Sequence, residues 1–238
     1  MILYRLANPT ATQPSEFRFE ARFEAACLLH TPEQVNDATL LFLTLHGYSS
    51  NPEAMLRLTV PTVGPQHVVA SLRGPNQHYL AVGPSSGADV GYNWGTSRHG
   101  ADNITGHHSM VRDALRILRE RFAIPVSRTF LMGFSQPVGL NYRFIGTYPD
   151  QAAGVIGVCG GVPKDWEEDK YQPTPPLLHI SRDQDEFFPV NIVNGFEARL
   201  RHHAADVEFH LLPGGHRFPS KSRDFIRPWV ERVSSTAR

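Results

Sequence analysis

The chain has 238 residues, enough for one domain with a sizeable core, and its 23 Lys and Arg are balanced by 23 Asp and Glu, so the formal net charge is zero. Zero net charge gives no global attraction to nucleic acid or to an anionic bilayer, and no stretch is apolar for long enough to span a membrane. The opening Met1-Ile2-Leu3-Tyr4-Arg5-Leu6 has no long apolar run, and Cys27 and Cys159 lie far apart among small or apolar residues, which predicts a cytoplasmic protein with two free thiols.

Phe17, Phe19, Ala21, Phe23 and Ala25 alternate with Arg18, Glu20, Arg22 and Glu24. That period of two predicts half-buried strands at an antiparallel edge. Residues 39–45, Thr-Leu-Leu-Phe-Leu-Thr-Leu, are almost continuously apolar and predict a central strand covered on both faces, ending in His46-Gly47-Tyr48-Ser49-Ser50-Asn51. A shorter strand over 67–72 ends at Arg73-Gly74-Pro75. Residues 75–105 are rich in Gly, Pro, Ser and Asn, and a loop of that length in a compact domain is usually functional or mobile. It is a possible active-site wall or lid, and its Tyr79, Tyr92 and Trp94 could either wall a pocket or pin the loop to the core.

From Thr105 the pattern turns helical: Val111, Ala114, Leu115, Leu118 and Phe122 form one stripe, with Arg112, Asp113, Arg116, Arg119 and Glu120 opposite. Pro125 closes this helix. Short apolar runs at 129–132, 152–159, 176–181 and 207–212 read as strands. Helices are predicted from Ser135 through Tyr148, over 191–203 and over 222–233, the last kinked or interrupted at Pro228. Strands alternating with helices imply an α/β fold: a mostly parallel sheet with an antiparallel N-terminal edge and helices on both faces, in a single domain over residues 1–238.

Gly133-Phe134-Ser135-Gln136 sits where a buried strand meets a helix. A serine on such a turn has an exposed hydroxyl, and the next backbone N–H lies at a helix N-terminus, where negative charge is stabilised. Parallel sheets carry functional residues at the carboxyl ends of their strands. Those ends here carry His46-Gly47-Tyr48, Ser135-Gln136, Asp183-Gln184-Asp185-Glu186 and Gly214-Gly215-His216. A nucleophilic serine needs a base, a carboxylate to orient the base, and donors for the oxyanion. All four parts are present, in the order Ser, Asp, His. Asp183 and Asp185 both lie past a strand end, and either could orient the base. His210 falls inside a strand with Glu208 on its face, and His46 is suited to brace the turn that presents Tyr48. The pairs His107-His108 and His202-His203 suggest no metal site, because adjacent histidines on a helix point different ways and no carboxylate or cysteine spacing completes a ligand set.

Leu45-His46-Gly47, Gly133-Phe134-Ser135-Gln136, Asp183-Gln184-Asp185 with Pro189, and Gly215-His216 resemble the motifs of the α/β-hydrolase fold. More narrowly, they resemble the phospholipase/carboxylesterase family that includes the acyl-protein thioesterases. The resemblance implies a serine hydrolase of small-molecule carboxylic esters or thioesters, needing no cofactor or metal. It makes Ser135 the nucleophile, Asp185 the acidic member and His216 the base, with the backbone N–H groups of Tyr48 and Gln136 as the oxyanion hole. Trp94, Phe187 and Phe188 are candidate substrate contacts. Pro137 stands where the family has Gly, and Glu186-Phe187-Phe188 replaces the family's Pro and aliphatic residues. The alternatives are an acyltransferase or peptidase using the same triad, or a binding module whose altered elbow has ended catalysis. Nothing in the sequence signals an oligomeric state.

Overall fold

The computed structural model describes residues 15–17, 19, 23–80 and 89–236. In chain order its elements are β1 (Cys27–His30), β2 (Leu41–Leu45), α1 (Pro52–Val63), β3 (Val68–Leu72), β4 (Asn76–Tyr79), β5 (Val90–Asn93) and α2 (Gly100–Phe122). There follow β6 (Thr129–Phe134), α3 (Val138–Thr147), β7 (Gly154–Val158), β8 (Leu177–Arg182), α4 (Val190–Val193), α5 (Phe196–Leu200), β9 (Val207–Leu212) and α6 (Arg223–Thr236). Seven strands form one sheet in the order β1-β3-β2-β6-β7-β8-β9, while β4 and β5 pair apart from it as an antiparallel hairpin. Among the described residues, only β1 runs antiparallel within the large sheet.

The apolar run at 41–45 explains why β2 is central. All five of its residues are buried, and they alternate between two cores. Leu41, Leu43 and Leu45 pack with Val111, Leu115 and Leu118 of α2 and Tyr142 and Ile145 of α3, whereas Phe42 packs with Met55 of α1 and Ile226, Trp229 and Val233 of α6. Full burial of one such side chain contributes about 1.5–3 kcal/mol. A one-residue slip of β2 would exchange the two sets, so the register is strongly specified. The helical stripe predicted from Val111 to Phe122 is the face of α2 that meets this core.

Several elements differ from expectation. The antiparallel edge strand is Cys27–His30, not the alternating stretch before it. Arg18, Glu20, Ala21 and Arg22 of that stretch lie outside the described residues, and Phe17, Phe19 and Phe23 are exposed and outside any strand. The ladder ends because its partner does. Beyond Arg73, whose N–H donates to Ala26 O, Gly74 gives its N–H to His46 and Pro75 has none to give. Residues 75–105 contain the β4–β5 hairpin and the start of α2; residues 81–88 of that stretch lie outside the described residues. The helix expected over 191–203 is two short helices separated by Asn194-Gly195, where glycine weakens helix continuity. Pro228 lies within α6 without interrupting it. Helix α1 has no clear apolar period, since Pro61 lies inside it and Thr59 and Thr62 are among its buried residues, although Asn51 caps it through an Ala54 N–H bond of 2.8 Å and Pro52 opens its first turn.

Candidate active site

From β2 the chain first steps out to β3 and later returns across β2 to β6, so the strand order reverses between β2 and β6. Such a switch point leaves a crevice beyond the carboxyl ends of the strands. Leu45 pairs with Gly133, which sets the loop at His46-Gly47-Tyr48 beside the turn at Ser135-Gln136-Pro137.

Ser135 has φ +63°, a left-handed conformation that costs a non-glycine residue about 1–3 kcal/mol. Its neighbours hold it there: the Ser135 N–H donates to Val158 O at 2.8 Å, and the Val138 N–H donates to Ser135 O at 3.2 Å. Two glycines make room for the turn. A Cβ at Gly133 would lie 2.7 Å from Asn141 Nδ2, and one at Gly160 would collide with the Val138 side chain and the Ser135 carbonyl. Pro137 fits the turn at φ −75° and ψ −10°, and its carbonyl accepts the Asn141 N–H at 2.8 Å to begin the α3 ladder. An imino nitrogen here gives up no intrahelical bond.

Asp185 follows β8, His216 follows β9, and both reach Ser135. His216 Nδ1 lies 2.7 Å from Asp185 Oδ2, and His216 Nε2 lies 2.8 Å from Ser135 Oγ. An ionised carboxylate only accepts, so Nδ1 carries the proton and Nε2 is left to accept from the serine hydroxyl. Asp185 is 3% exposed, and its other oxygen accepts the Phe187 and Phe188 N–H groups at 2.9 and 3.0 Å. Asp183 does a different job: its Oδ1 accepts the Gly214 N–H at 2.8 Å. Glu186, one of the departures from the family motif, accepts the His216 backbone N–H at 3.1 Å. Its carboxyl lies below the ordinary range because its own backbone N–H and that of His216 both donate to it. The loops bearing Asp185 and His216 are therefore laced together at two levels.

Aromatic rings surround the imidazole. Phe187 meets it edge-on at 4.7 Å between centroids, with Phe134 at 5.4 Å and Phe188 at 6.0 Å. Phe187 is 67% exposed and Tyr48 57% exposed, so both rings stand open to solvent near the serine. The Tyr48 and Gln136 backbone N–H groups have no acceptor among the described residues. Trp94, the remaining candidate substrate contact, is buried. It is 2% exposed, its indole N–H donates to His46 O at 2.7 Å, and its backbone N–H donates to Gln136 Oε1 at 3.0 Å. The residue is thus held at two points, through its indole N–H and its backbone N–H.

The remaining histidines and thiols have other surroundings. His46 is buried, donates from Nδ1 to Gly47 O at 2.8 Å and accepts the Gly74 N–H at 3.1 Å, and burial lowers its pKa. His210 bonds Glu208 at 2.8 Å, away from Ser135. His107 is buried against Trp94 and Phe144, and the half-buried His203 packs edge-on to Trp166. Among the described residues, no group of three His, Cys, Asp or Glu side chains is arranged to hold a metal ion. Both cysteines are free; burial pushes the Cys159 thiol up to about 12 and the Cys27 thiol up to about 11. No helix among the described residues is long and apolar enough to cross a membrane.

A mostly parallel sheet with one antiparallel edge, helices on both faces and a strand–serine–helix turn beside its switch point is the α/β-hydrolase fold. Solved structures share it over most of the chain. The carboxylesterase of Bacillus cereus superposes with a TM-score of 0.70 at 12% identity, covering 88% of this chain and 94% of its own. The esterase PE8 gives 0.65 at 20% identity, covering 89% and 100%. A phospholipase/carboxylesterase from Dyadobacter fermentans gives 0.64 at 16% identity, covering 87% and 97%. No curated protein matches the chain in sequence. The phospholipase/carboxylesterase family model matches residues 28–234, so the chain belongs to that family and is a carboxylesterase/phospholipase-like hydrolase.

Proposed function

We propose that the protein is a serine esterase that cleaves carboxylic ester or thioester bonds through Ser135, His216 and Asp185. The observation that carries this reading is the unbroken chain from Asp185 Oδ2 to His216 Nδ1 at 2.7 Å and from His216 Nε2 to Ser135 Oγ at 2.8 Å. Ser135 Oγ attacks the substrate carbonyl while its proton passes to His216 Nε2. The carbonyl oxygen becomes an oxyanion, for which the backbone N–H groups of Tyr48 and Gln136 are the donors. Collapse breaks the carbonyl–leaving-group bond, and His216 gives its proton to the departing alcohol or thiol. A water then attacks the acyl-enzyme, losing its proton to His216, which returns one to Ser135 Oγ as the acid leaves. Asp185 stays ionised throughout, orienting the imidazole and stabilising its cation.

Exposed Phe187 and Tyr48 offer apolar surface for the substrate, and the partly buried Phe188 ring lies 6.0 Å from the imidazole. The two free thiols suit a reducing compartment such as the cytoplasm. A panel of esters and thioesters of graded acyl length, run with a competing alcohol and a peptide substrate, tests the reading. It predicts hydrolysis of esters or thioesters and free acid as the product. Turnover of the peptide alone, or acyl transfer without hydrolysis, contradicts it.

A further inference from the structure

Two oxyanion donors help only if both point at the place where charge develops, and the β2–β6 ladder ends short of each of them. A second set of hydrogen bonds bridges that gap. Gln136 Oε1 accepts the Trp94 N–H at 3.0 Å and Gln136 Nε2 donates to Gly95 O at 2.8 Å, so its amide grips the chain on both sides of one peptide. The Trp94 indole N–H then donates at 2.7 Å to His46 O, on the residue that leads into Gly47-Tyr48. The β4–β5 hairpin, which leads into Trp94, is stitched to the same loop. The Tyr92 N–H donates to Ser50 O at 2.8 Å, Ser49 Oγ bonds His78 Nε2 at 2.8 Å, and Tyr48 stacks on His78 at 5.3 Å.

We propose that the Gln136 side chain and Trp94 form a clamp that sets the separation and aim of the Tyr48 and Gln136 amides, which makes Trp94 a positioning residue for the oxyanion. The inference rests on the serine-esterase reading above. A role in packing alone requires the bulk of the ring. The clamp requires its N–H as well, because the link to His46 passes through Nε1.

Trp94→Phe separates the two, since it keeps an aromatic ring and removes the donor. Active sites are counted in the full chain with a fluorophosphonate. Ester hydrolysis is then measured beside inhibition by an alkyl boronic acid, whose boron forms a tetrahedral adduct with a serine oxygen. The clamp predicts that Trp94→Phe lowers kcat per active site about 10–100-fold with KM within about threefold, and weakens boronate binding by a similar factor. Unchanged kcat and boronate affinity overturn the clamp and leave the esterase reading intact, as does a loss carried by KM alone. A wild-type chain that neither labels nor hydrolyses any ester overturns the esterase reading and the clamp with it. If Trp94→Phe does not fold, Gln136→Leu cuts the clamp from its other end while keeping the backbone amide. The same fall in kcat is then expected, and an unchanged kcat refutes the proposal.

Discussion

Asp183 and Asp185 stand two residues apart and hold opposite ends of one loop: Asp185 accepts from the His216 imidazole at 2.7 Å, and Asp183 accepts from the Gly214 backbone at 2.8 Å. One carboxylate faces the imidazole and the other anchors the segment that carries it. Asp185→Asn should therefore lower kcat by about 10⁴, the size of effect that follows when an imidazole is held in the wrong tautomer. Asp183→Asn keeps an acceptor oxygen for Gly214 and should lower kcat less than about tenfold. Steady-state kinetics on both variants checks the ranking, and a reversed order assigns the orienting role to Asp183.

Pro137 is accommodated by the turn. Its φ of −75° and ψ of −10° are helical, and the α3 ladder begins at its carbonyl. Losing one oxyanion donor costs roughly 2.7–4 kcal/mol. If Pro137 had misaimed the Gln136 N–H, glycine there would restore a gain of that order. We expect Pro137→Gly to change kcat less than about tenfold and to lower stability by about 0.5–1 kcal/mol through a looser unfolded chain. Kinetics and a urea curve on one sample test both halves. A hundredfold rise in kcat identifies the natural turn as impaired.

Much of this site was legible because its parts lie at strand ends, where an apolar run stops and a short polar motif begins. The run at 129–132 located the β6 core, and the Gly, Phe, Ser and Gln after it located the turn. What sequence could not give was the partner of each polar atom. Asp183 and Asp185 both lie past a strand end; the family motif points to Asp185, and the fold sets that carboxylate against the imidazole. Trp94 drew attention as an aromatic in a long loop, but its depth depends on a two-stranded hairpin too short to show a period. Glu186 gave no signal, since a lone carboxylate beside a motif does not announce a bond to a backbone N–H from another loop. The N-terminal alternation falls partly outside the described residues, and the β1–β3 ladder stops where β3 runs into Gly74-Pro75.

Buried histidines make the fold acid-sensitive. Burial holds His107 and His179 neutral, with pKa lowered from 6.5 to about 3 in each. The unfolded chain takes up these protons near pH 6.5, so below that value it binds more of them than the folded chain does. Their contribution is complete above pH 6.5 and is lost as pH falls toward 3, with a slope approaching about 1.4 kcal/mol per pH unit for each histidine. Asp165 titrates below this window. Partial burial works against its charge, but hydrogen bonds from Arg143, Lys170 and Tyr171 hold its carboxyl well below the usual range. The urea midpoint should thus be lower at pH 5 than at pH 7, and equal midpoints contradict neutral burial.

Phe187 touches His216 but makes none of the triad's side-chain hydrogen bonds, and most of its ring faces solvent. Phe187→Ala should raise KM for long-chain esters about 3–10-fold, the effect of about 1 kcal/mol of lost apolar contact, while kcat stays within about twofold. An acyl-length series separates the outcomes. A uniform fall in kcat at every length would mean that the ring supports the imidazole and not the substrate.

The central claim is that Ser135 Oγ is an activated nucleophile, and covalent labelling reads it directly. A fluorophosphonate probe should modify the wild-type chain at a single site, located by peptide mass at Ser135. Ser135→Ala should take up no probe and lose ester hydrolysis by about 10⁴ or more with its denaturation curve little changed. An unlabelled wild-type chain, or undiminished turnover in Ser135→Ala, would contradict the account.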